Sequence, residues 1–162
     1  MQFISAIGQD SHRFLEGSIE KPAVFGGFKV PGCPGFEANS DGDVILHALT
    51  NAISGITGRN ILGEVADKMC RSGVTDSREY LRVALEDLDW LGYCPAHVSI
   101  TMECSRPKMS PWVNAIKASV ASLLNLEIQG VGLTCTSGEG LTDFGRGLGV
   151  MCFAILNVQK KS

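Results

Sequence analysis

The sequence predicts a two-layer α/β sandwich, one mixed sheet with helices on a single face, that assembles with copies of itself. Three observations carry that reading. Apolar segments of strand character stand at both ends and in the middle of the chain, while residues around Leu81 and Ile116 repeat apolar side chains at three-to-four spacing. A length of 162 residues suits one core but not two, so residues 1–162 are read as one domain.

In chain order, residues 3–7 read as a strand ending near Gly8. A second strand is expected over 23–30, interrupted by Gly26 and Gly27, with turn material at 31–35. A helix from about 41 to 56 begins at Ser40 or Asp41, both good N-caps, and its apolar run from 44 to 49 implies burial on most sides. Residues 58–74 have weak periodicity and read as a long loop. Asp76 or Ser77 then caps a helix with Leu81, Leu85, Leu88 and Leu91 on one face. Residues 97–103 form a strand that turns Val98, Ile100 and Met102 inward. Ser110 and Pro111 open a third helix, Val131, Leu133 and Cys135 alternate as a strand, and 149–158 is a continuous apolar run suited to a buried last strand. The order ββααβαββ leaves one sheet face open, and self-association is its simplest cover.

The formal charge of −3 gives no basic field, which argues against duplex nucleic acid but leaves room for a nucleotide-sized ligand. Neither a leader pattern nor an apolar run of roughly 18 residues is evident, so a cytoplasmic protein away from membranes is expected. Six cysteines without a C-x-x-C pair, mostly in apolar stretches, read as reduced, buried thiols.

The chemistry centres on Gly8-Gln9-Asp10-Ser11-His12. Residues two apart on a strand share a face, so Asp10 and His12 can point at one divalent metal. Among three histidines, His47 lies one turn into the first helix, a rigid mount. Two imidazoles and a carboxylate with a fourth position open make the ligand set of a catalytic zinc. A chance spacing beside a core histidine is the competing reading. Asp43, four residues before His47, either orients that histidine or acts as a solvated or capping residue. Residues 136–141 and 144–147 are rich in small and hydroxyl side chains that can wrap an oxyanion, with Arg146 able to fork onto phosphate and Glu139 suited to Mg²⁺. Residues 39–42 offer a helix N-terminus to an anion.

In order, these pieces resemble the 2-C-methyl-D-erythritol 2,4-cyclodiphosphate synthase family. The carriers are G-x-D-x-H at 8–12, S-D-G-D-V-x-x-H-A-L at 40–49, D-S-R-x-x-L at 76–81, R-P-K-M at 106–109, and T-S-G-E-G-L with G-R-G between 136 and 147. The resemblance implies a homotrimer with sites between subunits, one zinc per subunit on Asp10, His12 and His47, and Mg²⁺ or Mn²⁺ on Glu139. It implies a lyase of non-mevalonate isoprenoid biosynthesis: 4-diphosphocytidyl-2-C-methyl-D-erythritol 2-phosphate closes to the 2,4-cyclodiphosphate and releases CMP. Asn39 and Ser137 would stabilise the transition state. Asp10, His12, Ser40, Ile61, Leu62, Gly63 and Asp67 would meet the erythritol and its phosphates. Cys104, Ser105, Arg106, Pro107, Lys108 and Met109, with Thr136, Ser137, Gly138 and Glu139, would take the cytidine diphosphate, with Asp143 and Arg146 closing the loop.

Four positions depart from the family pattern. Asn39 replaces a histidine, Ile61 a carboxylate, Asp143 a phenylalanine that adjacent Phe144 could supply, and Leu148 a glutamate near the trimer axis, where an apolar cavity would suit an isoprenoid tail. Two rivals accompany the main reading: a zinc-dependent phosphoester hydrolase, and a non-catalytic trimer that binds cytidine nucleotide or isoprenoid diphosphate.

Overall fold

The structure is a computed structural model that describes residues 2–17 and 20–161. Four strands form a mixed sheet in the order β1-β6-β4-β5, from β1 (Phe3–Arg13), β4 (Tyr93–Glu103), β5 (Val131–Thr136) and β6 (Gly149–Lys160). β6 runs antiparallel to both β1 and β4, and β4 is parallel to β5. Even-numbered residues from Val98 to Met102 in β4 and from Val150 to Val158 in β6 are buried under the helices. The opposite face exposes Ile7, Phe153 and Ile155.

β1 is longer than its apolar start predicts. It pairs residue for residue with β6 from Phe3 opposite Gln159 to Arg13 opposite Gly149, so the ladder carries Asp10 and His12 inside the strand. The expected second strand is a hairpin instead. β2 (Pro22–Phe25) and β3 (Phe28–Pro34) pair in a separate sheet around Gly26 and Gly27, whose φ of 61° and 81° fits the type I′ turn that two central positive φ values define. Most of the expected 31–35 turn therefore belongs to β3.

α1 (Val44–Thr57) starts at Asp43 rather than at Ser40 or Asp41. The Asp43 carboxylate accepts from Ile45 and Leu46 N–H at 3.1 and 3.0 Å, and from Gly26 and Gly27 N–H at 2.8 and 2.7 Å, tying the hairpin turn to the helix. It is fully buried and is neither solvated nor bonded to the His47 ring. Burial and the charge of Asp41 push it up to about 6, against the pull of its N–H donors. α1 ends at Gly58, φ 75°, a left-handed C-cap.

The expected loop at 58–74 contains α2 (Glu64–Arg71). Few apolar residues mark it, but Glu64 and Asp67 lie in its first turn and Lys68 and Arg71 in its last, each favourable to the helix dipole. α3 (Ser77–Trp90) is capped by Asp76, and α4 (Val113–Leu124) begins two residues after Pro111. β4 begins at Tyr93, four residues before the expected start. Of the β5 set, Val131 is buried, while Cys135 is exposed, contrary to the buried-thiol expectation. Among the described residues the six cysteines are unpaired.

Candidate active site

Gly8 determines how close α1 comes to the sheet. A Cβ built on Gly8 would lie 1.8 Å from the Ala48 carbonyl oxygen and 2.6 Å from Ala52 N, so only glycine lets the helix backbone rest on β1 there. Asp10 and His12, two and four residues on, share its face, and His47 faces them from the first turn of α1. Asp10 Oδ2 is 2.9 Å from His47 Nδ1 and 3.0 Å from His12 Nε2, and the two imidazole nitrogens are 3.2 Å apart. Burial pushes the Asp10 carboxyl up, but hydrogen bonds to His12 and His47 and the charge of both rings outweigh it and hold it at about 2. The three donor atoms lie within 4.8 Å of one another. That donor set could hold a metal ion, and two imidazoles with a carboxylate suit a divalent metal such as zinc.

The triad forms the floor of a cleft of about 570 Å³. One wall is the segment from Glu37 to Ser40; the other comes from Leu62, Gly63 and α2, with Ala66, Asp67 and Cys70. The first wall is held by Lys21, whose ammonium donates to the carbonyls of Phe36, Ala38 and Ser40 at 2.9, 3.0 and 2.6 Å. Those three bonds use all its donors. Phe36 anchors the same segment below, stacked on Phe14 at 5.2 Å and edge-on to Phe25 at 5.4 Å. Behind this cluster, His47 Nε2 lies 2.8 Å from Ser77 Oγ, which donates to the Asp41 carboxylate.

Asn39, Ser40, Leu62, Gly63 and Asp67 therefore join Asp10, His12 and His47 around one cleft. Ile61 does not: its side chain is fully buried, and its N–H donates to Ser54 Oγ. None of the described residues lining the cleft comes from 104–109 or 136–139. Those segments instead meet beyond the C-terminal ends of β4 and β5, where Cys104 N–H donates to the Thr136 carbonyl at 3.0 Å. Ser137 and Glu139 are exposed, and Ser137 Oγ accepts the Glu139 N–H at 3.4 Å. Glu139 has φ 52°, unusual for a residue with a side chain.

The loop carrying these residues is tied down by Thr142, which donates to Glu103 Oε1 and accepts the Gly145 N–H at 2.9 Å. Gly138 and Gly145 cross so closely that a Cβ on either would come within 2.8 Å of the other's backbone. Arg106 lies over the Phe14 ring at 4.7 Å and donates to the Gly147 carbonyl at 2.9 Å, so much of its bonding is internal. Arg146 pairs with Asp143 at 2.7 Å. Met109 and Cys104 are buried, and burial pushes the Cys104 thiol up to about 12, favouring the protonated form.

A model of the YgbB family matches residues 3–159. The chain belongs to the YgbB family. The 2-C-methyl-D-erythritol 2,4-cyclodiphosphate synthase of Chlamydia caviae is 52% identical over 153 residues, covering 94% of this chain and 86% of that protein. The bifunctional IspDF of Campylobacter jejuni superposes with a TM-score of 0.87 at 27% identity; the match covers 98% of this chain but 42% of that longer one. A 2C-methyl-D-erythritol-2,4-cyclodiphosphate synthase in a CDP-bound form gives a TM-score of 0.82 at 30% identity, over 96% of this chain and 100% of that one.

Sequence spacing brings together Asp10, His12 and His47, the cluster that could hold a metal, but does not point to the neighbouring Lys21, Glu37, Cys70 and Tyr80 or to the contact between Ser77 and Asp41. Asp76 and Ser77 belong to the D-S-R-x-x-L motif and carry a capping signal, which Asp76 fulfils by accepting the Arg78 N–H at 2.9 Å; neither gives Ser77 a contact with His47. Lys21 precedes a proline with no motif to mark it.

Proposed function

We infer that the chain converts 4-diphosphocytidyl-2-C-methyl-D-erythritol 2-phosphate to 2-C-methyl-D-erythritol 2,4-cyclodiphosphate and CMP. The observation that carries this reading is the convergence of Asp10, His12 and His47 on the floor of a walled cleft, in a chain 52% identical to a synthase of that name. An oxygen of the substrate's own 2-phosphate attacks the β-phosphorus, and the bond to the CMP oxygen breaks as CMP leaves with the electron pair. The protein supplies no nucleophile. It holds two phosphates in line and offsets their charge.

Asp10, His12 and His47 would hold zinc, which when bound supplies Lewis-acid polarisation of a phosphate oxygen. Asn39 and Ser40 offer N–H and hydroxyl donors from the cleft wall, and Asp67 takes the erythritol hydroxyls. Ser137 donates to the transferring phosphoryl group, Lys108 offsets phosphate charge, and Glu139 would hold Mg²⁺ or Mn²⁺ against the diphosphate. Residues 104–109 and 136–139 of one copy face the metal cleft of the next in a homotrimer. Two features support that arrangement: both segments lie off the metal cleft of their own chain, and the outer sheet face carries exposed Ile7, Phe153 and Ile155.

Incubation of purified, zinc-loaded protein with the diphosphocytidyl substrate and Mg²⁺, followed by chromatography and phosphorus NMR, tests this reading. CMP with a cyclic diphosphate is expected. CMP with an open-chain phosphate would reassign the site to a hydrolase, and binding without turnover would make it a sensor.

A further inference from the structure

Behind His47, a run of hydrogen bonds calls for a proton on Nε2, so that once the ring is neutral and a metal replaces the Nδ1 proton facing Asp10, one tautomer remains. The Asp41 carboxylate, which only accepts, meets Ser77 twice: Oδ2 takes the Ser77 N–H at 3.0 Å and Oδ1 takes the Ser77 hydroxyl. A serine hydroxyl has one proton, and here it points to Asp41. Its remaining lone pairs face His47 Nε2 at 2.8 Å, where only a protonated ring nitrogen completes a bond. A neutral imidazole with its proton on Nε2 has its lone pair on Nδ1. Nδ1 is the atom 2.9 Å from Asp10 Oδ2 and 3.2 Å from His12 Nε2.

Asp41 is itself fixed from other directions. Its N–H donates to the Thr75 carbonyl at 2.9 Å and its Oδ1 accepts the Asp43 N–H at 3.1 Å. Ser77 is fully buried at the start of α3. Ser40 Oγ lies farther from Nε2, at 3.4 Å, and is already accepting the Gly42 N–H. We propose that Ser77 and Asp41 are positioning residues that hold His47 as its Nε2–H tautomer and aim Nδ1 at the metal. This rests on the metal reading above and adds what sets its affinity.

The test uses full-length protein labelled with ¹⁵N-histidine, loaded with zinc and titrated with a competing chelator. Ser77→Ala is expected to weaken zinc binding by roughly 10- to 100-fold, Asp41→Asn by less, and Ser77→Thr to restore much of the affinity. Histidine ¹H–¹⁵N spectra of the zinc-loaded wild type are expected to show His47 ligating through Nδ1 with a slowly exchanging Nε2 proton. That proton should exchange fast in Ser77→Ala, a change that loss of packing alone does not produce. Equal zinc affinity in wild type and Ser77→Ala, or ligation through Nε2 in the wild type, overturns the proposal. Wild-type protein that takes up no zinc removes the metal reading and this proposal together. If Ser77→Ala does not fold, Asp41→Asn decides, since it keeps the buried hydroxyl.

Discussion

Asp10 and His12 show how far residue spacing reaches. Period two on a strand was enough to put them on one face, and the helix signal around 44–49 was enough to mount His47 rigidly. His47→Ala is expected to abolish bound zinc and turnover while leaving the oligomer intact, read by metal analysis, CMP release and light scattering. Full activity in metal-depleted His47→Ala protein would remove zinc from the reaction. Glu139 gives a different kind of prediction. Its left-handed backbone costs about 1 kcal/mol for a residue with a side chain. Glu139→Gly should therefore melt no lower than wild type yet lose its response to Mg²⁺, and Glu139→Gln should lose that response with zinc content unchanged. An unaltered Mg²⁺ dependence in both places Glu139 outside the site. Spacing cannot announce Ser77, Asp41 or Lys21, because their partners are set by how α3 and the hairpin pack, not by any local pattern.

At the scale of elements, the sequence was legible where apolar periodicity was strong and less so where charge or glycine carried the signal. α1, α3 and α4, β4 and β6 followed from their spacing, with ends displaced by a few residues. α2 reads as loop in the sequence because its apolar residues are few and without helical period, and in the fold it buries Ala66; the acidic first turn and basic last turn are the available clue. The two glycines at 26 and 27 marked a hairpin turn but were read as an interruption, since Gly-Gly weakens a strand as readily as it ends one. Gly8 links elements directly to chemistry. Gly8→Ala should push α1 off β1, cost about 1–3 kcal/mol, and lower zinc affinity through the displaced His47. Thermal melts and a zinc titration check both, and unchanged affinity would show that the triad tolerates helix movement.

For the whole molecule, the proposed trimer would account for both the exposed apolar sheet face and the distance of residues 104–109 and 136–139 from the cleft of their own chain. If the metal ligands of one copy work with Glu139 of another, His47→Ala and Glu139→Gln proteins, each without Mg²⁺-stimulated turnover, should recover it when unfolded, mixed and refolded together. With random assembly, about one site in four regains both halves. No recovery, with mixed oligomers verified by mass, would place each whole site within one chain. Among the described residues no helix is long and apolar enough to cross a membrane.

The metal ligands sit on a strand and a helix, whereas each departure from the family pattern falls outside both kinds of element. Asn39, Ile61, Asp143 and Leu148 all lie on connecting segments. Of these, Asn39 lines the cleft above the Asp10-His12-His47 cluster, whereas Ile61 is buried away from it. Directed variation at Asn39, on the cleft wall and off the strand and helix that carry the cluster, is therefore a route to altered substrate preference with Asp10, His12 and His47 left in place.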